Sequence, residues 1–308
     1  CRITLVNIGL IGLGGWGKNH IRVLNELKVL SGICDINNVT LEYYSKKYKI
    51  NGYTSLNELI QNEKLDGIVV VTPVKTHYKI ASNIIKNKLP IFIEKPITDN
   101  YIEAKKLIEL SKINNVKVMI GYIERFNPVL IELKSILDKN DFQNPILINF
   151  NRLNKIDEKL IDVGIIMDTA VHDIDLARWL FKSEPKMIFA QTRKVQSEKN
   201  NLSFIQMEFK NQGIALITSS WISKTKMRKL SLLNNDSTID VDYIKQTINI
   251  NNNQISVEGE EPLLNKIKHF ISSLKNNTKP KVTIEDGVKT THIAEAATIS
   301  SKTSTPMF

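Results

Sequence analysis

The sequence predicts an α/β protein in two parts: an N-terminal doubly wound parallel sheet and a C-terminal α/β domain whose strands run mainly antiparallel. Three observations carry this prediction. From residue 3 to about 122, short β-rich runs alternate with helical periods, the rhythm of repeated βα units. A glycine-rich turn lies between the first run and the first helix. After Pro128 the rhythm changes to alternating segments separated by turn signals, and a chain of 308 residues is long enough for about two domains. The boundary is therefore placed at 122, giving domains 1–122 and 123–308.

The β-rich runs of the first part are "ITLVNIGLIG", "KVLSGICD", "GIVVVT", "LPIFIEKP" and "NVKVMIGY", with helices expected at about 18–28, 39–48, 55–62, 77–88 and 99–114. In the second part a helix is expected around 128–138, a strand at "PILINFNRL" and a helix around 165–181. A meander follows: "KMIFAQTRKV", "LSFIQMEF", "GIALITSSWI", "KLSLLN", "STIDVDY" and "TINI", divided by turns such as Asn211-Gln212-Gly213. Glu261 to Lys275 and Asp286 to Ser301 read as closing helices. The Asn-rich stretch near 249–254 reads as compositional drift, and there is no internal repeat.

Composition narrows the function classes. With 42% hydrophobic and 24% charged residues the chain is globular, neither disordered nor fibrous. No apolar run approaches the ~18 residues of a membrane span, so a soluble protein is expected. Only Cys1 and Cys34 are present, without a CxxC pair, which sets aside a four-cysteine zinc site and a disulfide scaffold and suits a reducing cytoplasm. The chain opens directly into an apolar strand pattern without the features of a secretory signal, and its start at Cys1 suggests that a short segment has been trimmed. A formal net charge of +10 raises the question of a polyanionic partner. The lysines, however, sit beside glutamates, as in "IEAKKLIEL", and form no basic tract with interleaved aromatics, so neither nucleic acid nor a membrane is expected as a partner. A mildly positive field equally suits a dinucleotide or a nucleotide-linked substrate.

"GLGGWG" places Gly12, Gly14 and Gly17 in the spacing G-x-G-x-x-G, directly after a strand and before a helix. Such a turn needs one glycine for its tightness, one for close approach to a pyrophosphate and one for helix-on-strand packing. The helix N-terminus then faces the negative charge. Asp35 ends the second strand 23 residues after Gly12, where an acid accepts hydrogen bonds from an adenosine ribose and repels a 2′-phosphate. NAD is thereby favoured over NADP. The alternative for Asp35 is a turn residue of "CDINN".

"IEKP" ends a strand of this half, where open α/β sheets bind ligands. Lys95 would point toward a nicotinamide, and Glu94 would hold Lys95 or contact the cofactor; the alternative for Lys95 is a surface lysine before a proline-started helix. "MDTAVHDID" sets Asp168 and His172 four apart on a helix face, with Asp175 three further on. An imidazole flanked by carboxylates can exchange protons near neutral pH. The same spacing suits metal ligands or a solvated helix face, but a metal needs further ligands that the sequence does not offer, so none is expected. Of the other histidines, His20 reads as packing or capping, His77 lies near the expected cofactor edge, and His269 and His292 read as ordinary helix residues.

Taken together, "GLIGLGGWGKNH", "VVVTPVKTHY", "IEKPIT", "GYIERFNP" and "DTAVHDIDL" resemble, in order and spacing, the glucose-fructose oxidoreductase and inositol dehydrogenase (Gfo/Idh/MocA) family. The resemblance spans nearly the whole chain. It implies a Rossmann domain followed by an α/β domain with an open antiparallel sheet, pairing of copies through that sheet into a dimer or tetramer, and oxidation of a sugar or cyclitol hydroxyl by hydride transfer to NAD. It further implies that Lys95, Asp168 and His172 are catalytic. Gly12, Gly14, Gly15, Trp16, Gly17, Asp35, Thr72, Pro73, His77, Glu94 and Lys95 would line the cofactor.

Within the family, "GYIERFNP" and "IDVGIIMDTAVHDIDLARWL" look most like the branch that oxidises the 3-hydroxyl of UDP-N-acetylglucosamine. Arg125 and Asn127 would then join Lys95, Asp168 and His172 on the substrate side, Arg125 offering a planar fork to a phosphate or carboxylate. Tyr122 stands where such relatives often have His, and "NRLNKIDEKL" departs from their more arginine- and proline-rich approach to "DVG". A dehydrogenase or reductase of a free sugar or inositol, and a non-catalytic dinucleotide-binding sensor, are the alternative readings.

Overall fold

The computed structural model describes residues 6–139, 145–156 and 163–308. Cys1, the start of the opening strand pattern and the "DEKLID" part of the approach to Gly164 lie outside the described residues. The chain forms two compact units. One takes the chain up to Gly121 together with Leu263–Val288, and the other runs Tyr122–Pro262 and Lys289–Phe308.

The first unit alternates strand and helix: β1 (Ile8–Ile11), α1 (Gly17–Glu26), β2 (Leu30–Cys34), α2 (Asn38–Tyr48), β3 (Asn51–Tyr53), α3 (Leu56–Asn62), β4 (Gly67–Val70), α4 (Val74–Lys86), β5 (Ile91–Ile93), α5 (Tyr101–Asn114) and β6 (Val118–Ile120). All six strands are parallel, in the order β3-β2-β1-β4-β5-β6. Strands β1, β4, β5 and β6 are buried along their whole length. Such continuous apolar runs are what a sheet covered by helices on both faces requires. Side chains of Asn37, Ser55 and Asn100 cap α2, α3 and α5 by accepting from a backbone N–H three residues on. The order reverses at β1 and β4, so the carboxyl ends of those strands form the crevice in which this topology binds ligands.

The second unit begins with a 3-10 turn at Ile123–Phe126, then α6 (Pro128–Asp138), β7 (Leu147–Lys155), a π-helical turn at Ile166–Ala170 and α7 (Val171–Phe181). Strands β8 (Pro185–Arg193), β9 (Leu202–Phe209), β10 (Ile214–Ser220), β11 (Ile222–Leu233), β12 (Thr238–Asp242), β13 (Thr247–Ile250) and β14 (Asn253–Ser256) complete an eight-stranded sheet in the order β14-β13-β12-β11-β7-β10-β9-β8. This corrects the simple meander: β7 inserts between β10 and β11, parallel to the first and antiparallel to the second. Along β9, Ser203, Ile205, Met207 and Phe209 are buried, while Phe204 and Gln206 are exposed, the alternation of a sheet covered on one face. The stretch near 249–254 is no drift either. Asn251 and Asn252, at φ 48° and 70°, make the turn of the β13–β14 hairpin, a conformation asparagine tolerates.

Helix α8 (Pro262–Lys275) belongs to the first unit, where Phe270 packs edge-on to Phe92 of β5 at 5.8 Å. Helix α9 (Ile284–Thr303) starts in the first unit and ends in the second, where Ser300 Oγ accepts from the Ala190 N–H.

Buried charge in the second unit is matched. Arg152 of β7 donates to both oxygens of Asp173 at 2.9 and 2.8 Å and to Glu124 at 2.8 Å, and all three residues are buried. Removing the cation from such a cluster takes away the two-pronged partner of Asp173 and leaves Glu124 with Asn127 and the more distant Arg228 at 3.8 Å, which costs about 3–5 kcal/mol. Arg152→Met is expected to lower stability by about that amount in urea unfolding, whereas Arg22→Met, which breaks the exposed Arg22–Glu26 pair, should cost under about 1 kcal/mol.

Candidate functional site

In the first unit the glycine turn follows β1 because no other residue fits its crossing points. Gly12 has φ +92°, and a Cβ there would stand 2.4 Å from the Val71 carbonyl oxygen; one at Gly17 would stand 2.1 Å from the Gly12 oxygen. Gly14 and Gly15 differ, since a Cβ at either meets nothing within 4 Å. Packing within the chain explains the bareness of Gly12 and Gly17. It does not explain that of Gly14, which fits the close approach of a pyrophosphate to the turn ahead of α1.

Asp35 follows β2 directly and is half-buried. Its Oδ2 accepts from the Leu13 backbone N–H at 2.7 Å and its Oδ1 from the Asn37 N–H at 2.8 Å. The carboxylate therefore braces the glycine turn, a role that spacing alone did not suggest. Each oxygen retains acceptor capacity for ribose hydroxyls.

The ends of β4 and β5 supply the rest of this edge. Thr72 and Pro73 lead into α4, and the Thr76 hydroxyl donates to the Thr72 hydroxyl at 2.8 Å and lies 2.7 Å from the Pro73 carbonyl. His77 is buried; its Nε2 and Nδ1 each lie 2.9 Å from a carbonyl oxygen, of Thr72 and Pro96 respectively, which ties the two strand ends together. Glu94 is enclosed. Its Oε1 is met by His20 Nε2 at 2.8 Å, Lys266 Nζ at 2.5 Å and the Trp16 indole N–H at 3.2 Å, and its Oε2 accepts from the Lys95 backbone N–H at 3.2 Å. Burial alone would raise the Glu94 carboxyl, but the Lys266 ammonium and then His20 hold it well below the usual carboxylate range. Lys95 is half-buried at the end of β5. The first unit thus brings Gly12, Gly14, Gly15, Trp16, Gly17, Asp35, Thr72, Pro73, His77, Glu94 and Lys95 to the carboxyl edge of one sheet.

In the second unit Asp168 lies in the π-helical turn and His172 in the first turn of α7, in place of one continuous helix. Irregular turns of this kind recur at functional sites. Of residues 165–181, only Asp168, His172 and Trp179 escape full burial. The Asp168 carboxylate accepts from the Thr169 hydroxyl at 2.9 Å, and Thr169 in turn accepts from the Trp221 indole at 2.7 Å. The His172 ring packs edge-on to Tyr122 with centroids 6.5 Å apart.

Arg125 and Asp175 meet in the second unit: Arg125 Nε and Nη2 donate to the two Asp175 oxygens at 2.7 and 2.6 Å, with both residues buried. A planar guanidinium meets a carboxylate two-pronged wherever one is within reach. Asn127 is also built into the fold. It donates to Glu124 at 3.1 Å, accepts from Gln246 at 2.8 Å, and lines a cavity of about 590 Å³ with Arg228 and Tyr243. Among the described residues no group of three or more His, Cys, Asp or Glu is placed to hold a metal ion, and no helix is long and apolar enough to cross a membrane.

Sequence reasoning missed Lys266. Its signal was present: Leu263, Lys266, Ile267 and Phe270 share the buried stripe of α8, so a lysine interrupts an apolar face.

A glycine turn braced by an acid at the next strand end, on the carboxyl edge of a doubly wound sheet, defines a dinucleotide-binding protein. Residues 6–122 match the NAD-binding Rossmann fold of the Gfo/Idh/MocA oxidoreductase family, and residues 138–242 match the C-terminal domain of the same family. The chain belongs to the Gfo/Idh/MocA family and is an NAD-dependent oxidoreductase. It is 25% identical over 242 residues to UDP-N-acetylglucosamine 3-dehydrogenase of Acidithiobacillus ferrooxidans, covering 79% of this chain and 75% of that enzyme. It is 23% identical over 307 residues to myo-inositol 2-dehydrogenase of Thermotoga maritima, covering 92% of each. The solved structure of the A. ferrooxidans UDP-N-acetylglucosamine 3-dehydrogenase GnnA superposes with a TM-score of 0.91 at 22% identity, covering 98% of this chain and 99% of that one.

The glycines separate fold from cofactor binding experimentally. Gly14→Ala should leave thermal stability within about 0.5 kcal/mol of the parent while weakening NAD roughly tenfold, about 1.4 kcal/mol of lost approach. Gly12→Ala should lose both stability and binding, as read by thermal unfolding and NAD titration calorimetry.

Proposed function

We propose that this enzyme oxidises a secondary hydroxyl of a sugar with NAD, the 3-hydroxyl of a UDP-N-acetylhexosamine. The observation that carries the reaction type is that Lys95 follows β5 on the same sheet edge as the glycine turn and Asp35. The substrate class is supported by the 25% identity to a UDP-N-acetylglucosamine 3-dehydrogenase.

The glycine turn and Asp35 would hold NAD, which when bound would supply the acceptor for a hydride from the carbinol carbon. The hydroxyl proton goes to His172 or Lys95, leaving a ketone, NADH and a protonated base. Asp168 orients the base or the substrate hydroxyl, and its partial exposure beside that of His172 in a buried stretch supports this role. Arg125, whose Nε and Nη2 pair with Asp175 and so fix the guanidinium, and Asn127, at the end of the 3-10 turn, lie on the substrate side. Asp35 carries the discrimination against a 2′-phosphate. A second reading, an inositol dehydrogenase, is favoured by the match to the T. maritima enzyme over 92% of each chain. The resemblance also implies pairing of copies through the open sheet, whose β9 and β10 leave Phe204 and Leu216 exposed.

Incubation with NAD and a panel of UDP-sugars, inositols and hexoses, followed by NADH absorbance, tests the reading. Reduction with UDP-N-acetylhexosamines supports it; reduction with inositol alone transfers it to the second. Lys95→Met and His172→Ala should each lower kcat about a hundredfold or more, and unchanged turnover in both removes the mechanism. Asp35→Ser should shift preference from NAD toward NADP, read as the ratio of their dissociation constants; an unmoved ratio removes the ribose role of Asp35.

A further inference from the structure

Glu94 is the meeting point of four segments of the first unit. Trp16 comes from the glycine turn, His20 from α1, Lys266 from α8, and the Lys95 N–H from the chain after β5. The pocket around the carboxylate is closed: a Cβ at Gly121 would stand 2.6 Å from Oε2, and Lys266 is wholly buried with Nζ 4.9 Å from the Phe92 ring centroid. Trp16 is 44% exposed, so its indole N–H is anchored inside while much of its ring faces out from the turn.

We infer that Lys266 is a positioning residue for NAD binding: through its buried ion pair with Glu94 it holds Trp16 of the glycine turn and the Lys95 backbone in one arrangement. The inference needs only the cofactor that the family binds, and not the identity of the alcohol.

The charges around Glu94 support this. His20 is held below its usual range by burial, partly opposed by Glu94, and so contributes chiefly as a hydrogen-bond partner. Lys266 is likewise lowered by burial and partly restored by Glu94, with Lys95 the other cation acting on it. Without the Lys266 ammonium, burial acts on Glu94 against His20 alone, and the carboxyl moves upward toward the range where it takes a proton. A neutral acid is a weaker acceptor for the Trp16 and Lys95 N–H groups than a carboxylate.

Calorimetric titration of NAD into the whole protein tests this without turnover. Lys266→Met should bind NAD about tenfold more weakly, a loss that deepens as pH falls from about 8 to about 6, while the parent stays flat. Lys266→Arg, which keeps a cation, should recover most of the affinity. Glu94→Gln should be weak and flat with pH, and adding Lys266→Met to it should cost nothing more. A folded Lys266→Met that binds NAD like the parent, or is weaker with a flat pH profile, overturns the inference. Should that variant fail to fold, Glu94→Gln decides: parental NAD affinity in this neutral isostere overturns the inference, and a pH-flat loss supports it.

Discussion

The turn after β1 is a crossing of the chain over itself, and the cofactor half of the molecule depends on it. Gly12 lies against the Val71 carbonyl and Gly17 against the Gly12 carbonyl, so β1, β4 and α1 approach closely only because three backbone segments meet with no Cβ between them. Asp35 then takes the Leu13 N–H at 2.7 Å, which joins the end of β2 to the same turn. One carboxylate thereby does two things: it satisfies a backbone donor that a tight turn would otherwise leave unpaired, and it sets an acidic group at the end of β2 beside the glycine turn. A similar economy appears at Glu94, where a buried acid gathers the strand end, the glycine turn and two helices.

The second unit works by sorting its carboxylates. Asp173 and Asp175 lie on α7 two residues apart, and each is matched by an arginine from a different element, Arg152 of β7 and Arg125 of the 3-10 turn. Both pairs are buried and two-pronged, so they fix register more than they add stability, because desolvating the charges offsets much of their attraction. Asp168 and His172, in contrast, keep partial exposure. Burial separates the acids that hold the fold from an acid and an imidazole that keep partial exposure.

Much of this was legible in the residues. Strand and helix periods placed the Rossmann elements to within a few residues, and the glycine spacing located the crossing. What escaped has physical reasons. Strand β3 is three mostly exposed residues around Gly52, visible only through its pairing with β2. The insertion of β7 parallel to β10 is a choice of partner, and a strand's two-residue period records which face is buried but not which neighbour lies beside it. The pairing of the Arg125 fork with Asp175 escaped because the two lie 50 residues apart. Lys266 was hidden by habit: a lysine on a helix is normally solvated, and only its place on the apolar stripe of α8 marked it as buried.

The same contrast explains why the cofactor follows from the sequence more directly than the alcohol does. Cofactor binding rests on backbone geometry, at a turn whose crossings at Gly12 and Gly17 admit no Cβ and at an acid placed by strand length, so its record is a spacing. Substrate choice rests on side chains, and their reach depends on which of them the fold has already claimed. Arg125 and Asn127 are the clearest instances, for both have the chemistry to recognise a phosphate or an acetamido group, and both are tied to protein partners. Which side chains stay accessible is a property of the folded chain that spacing does not encode.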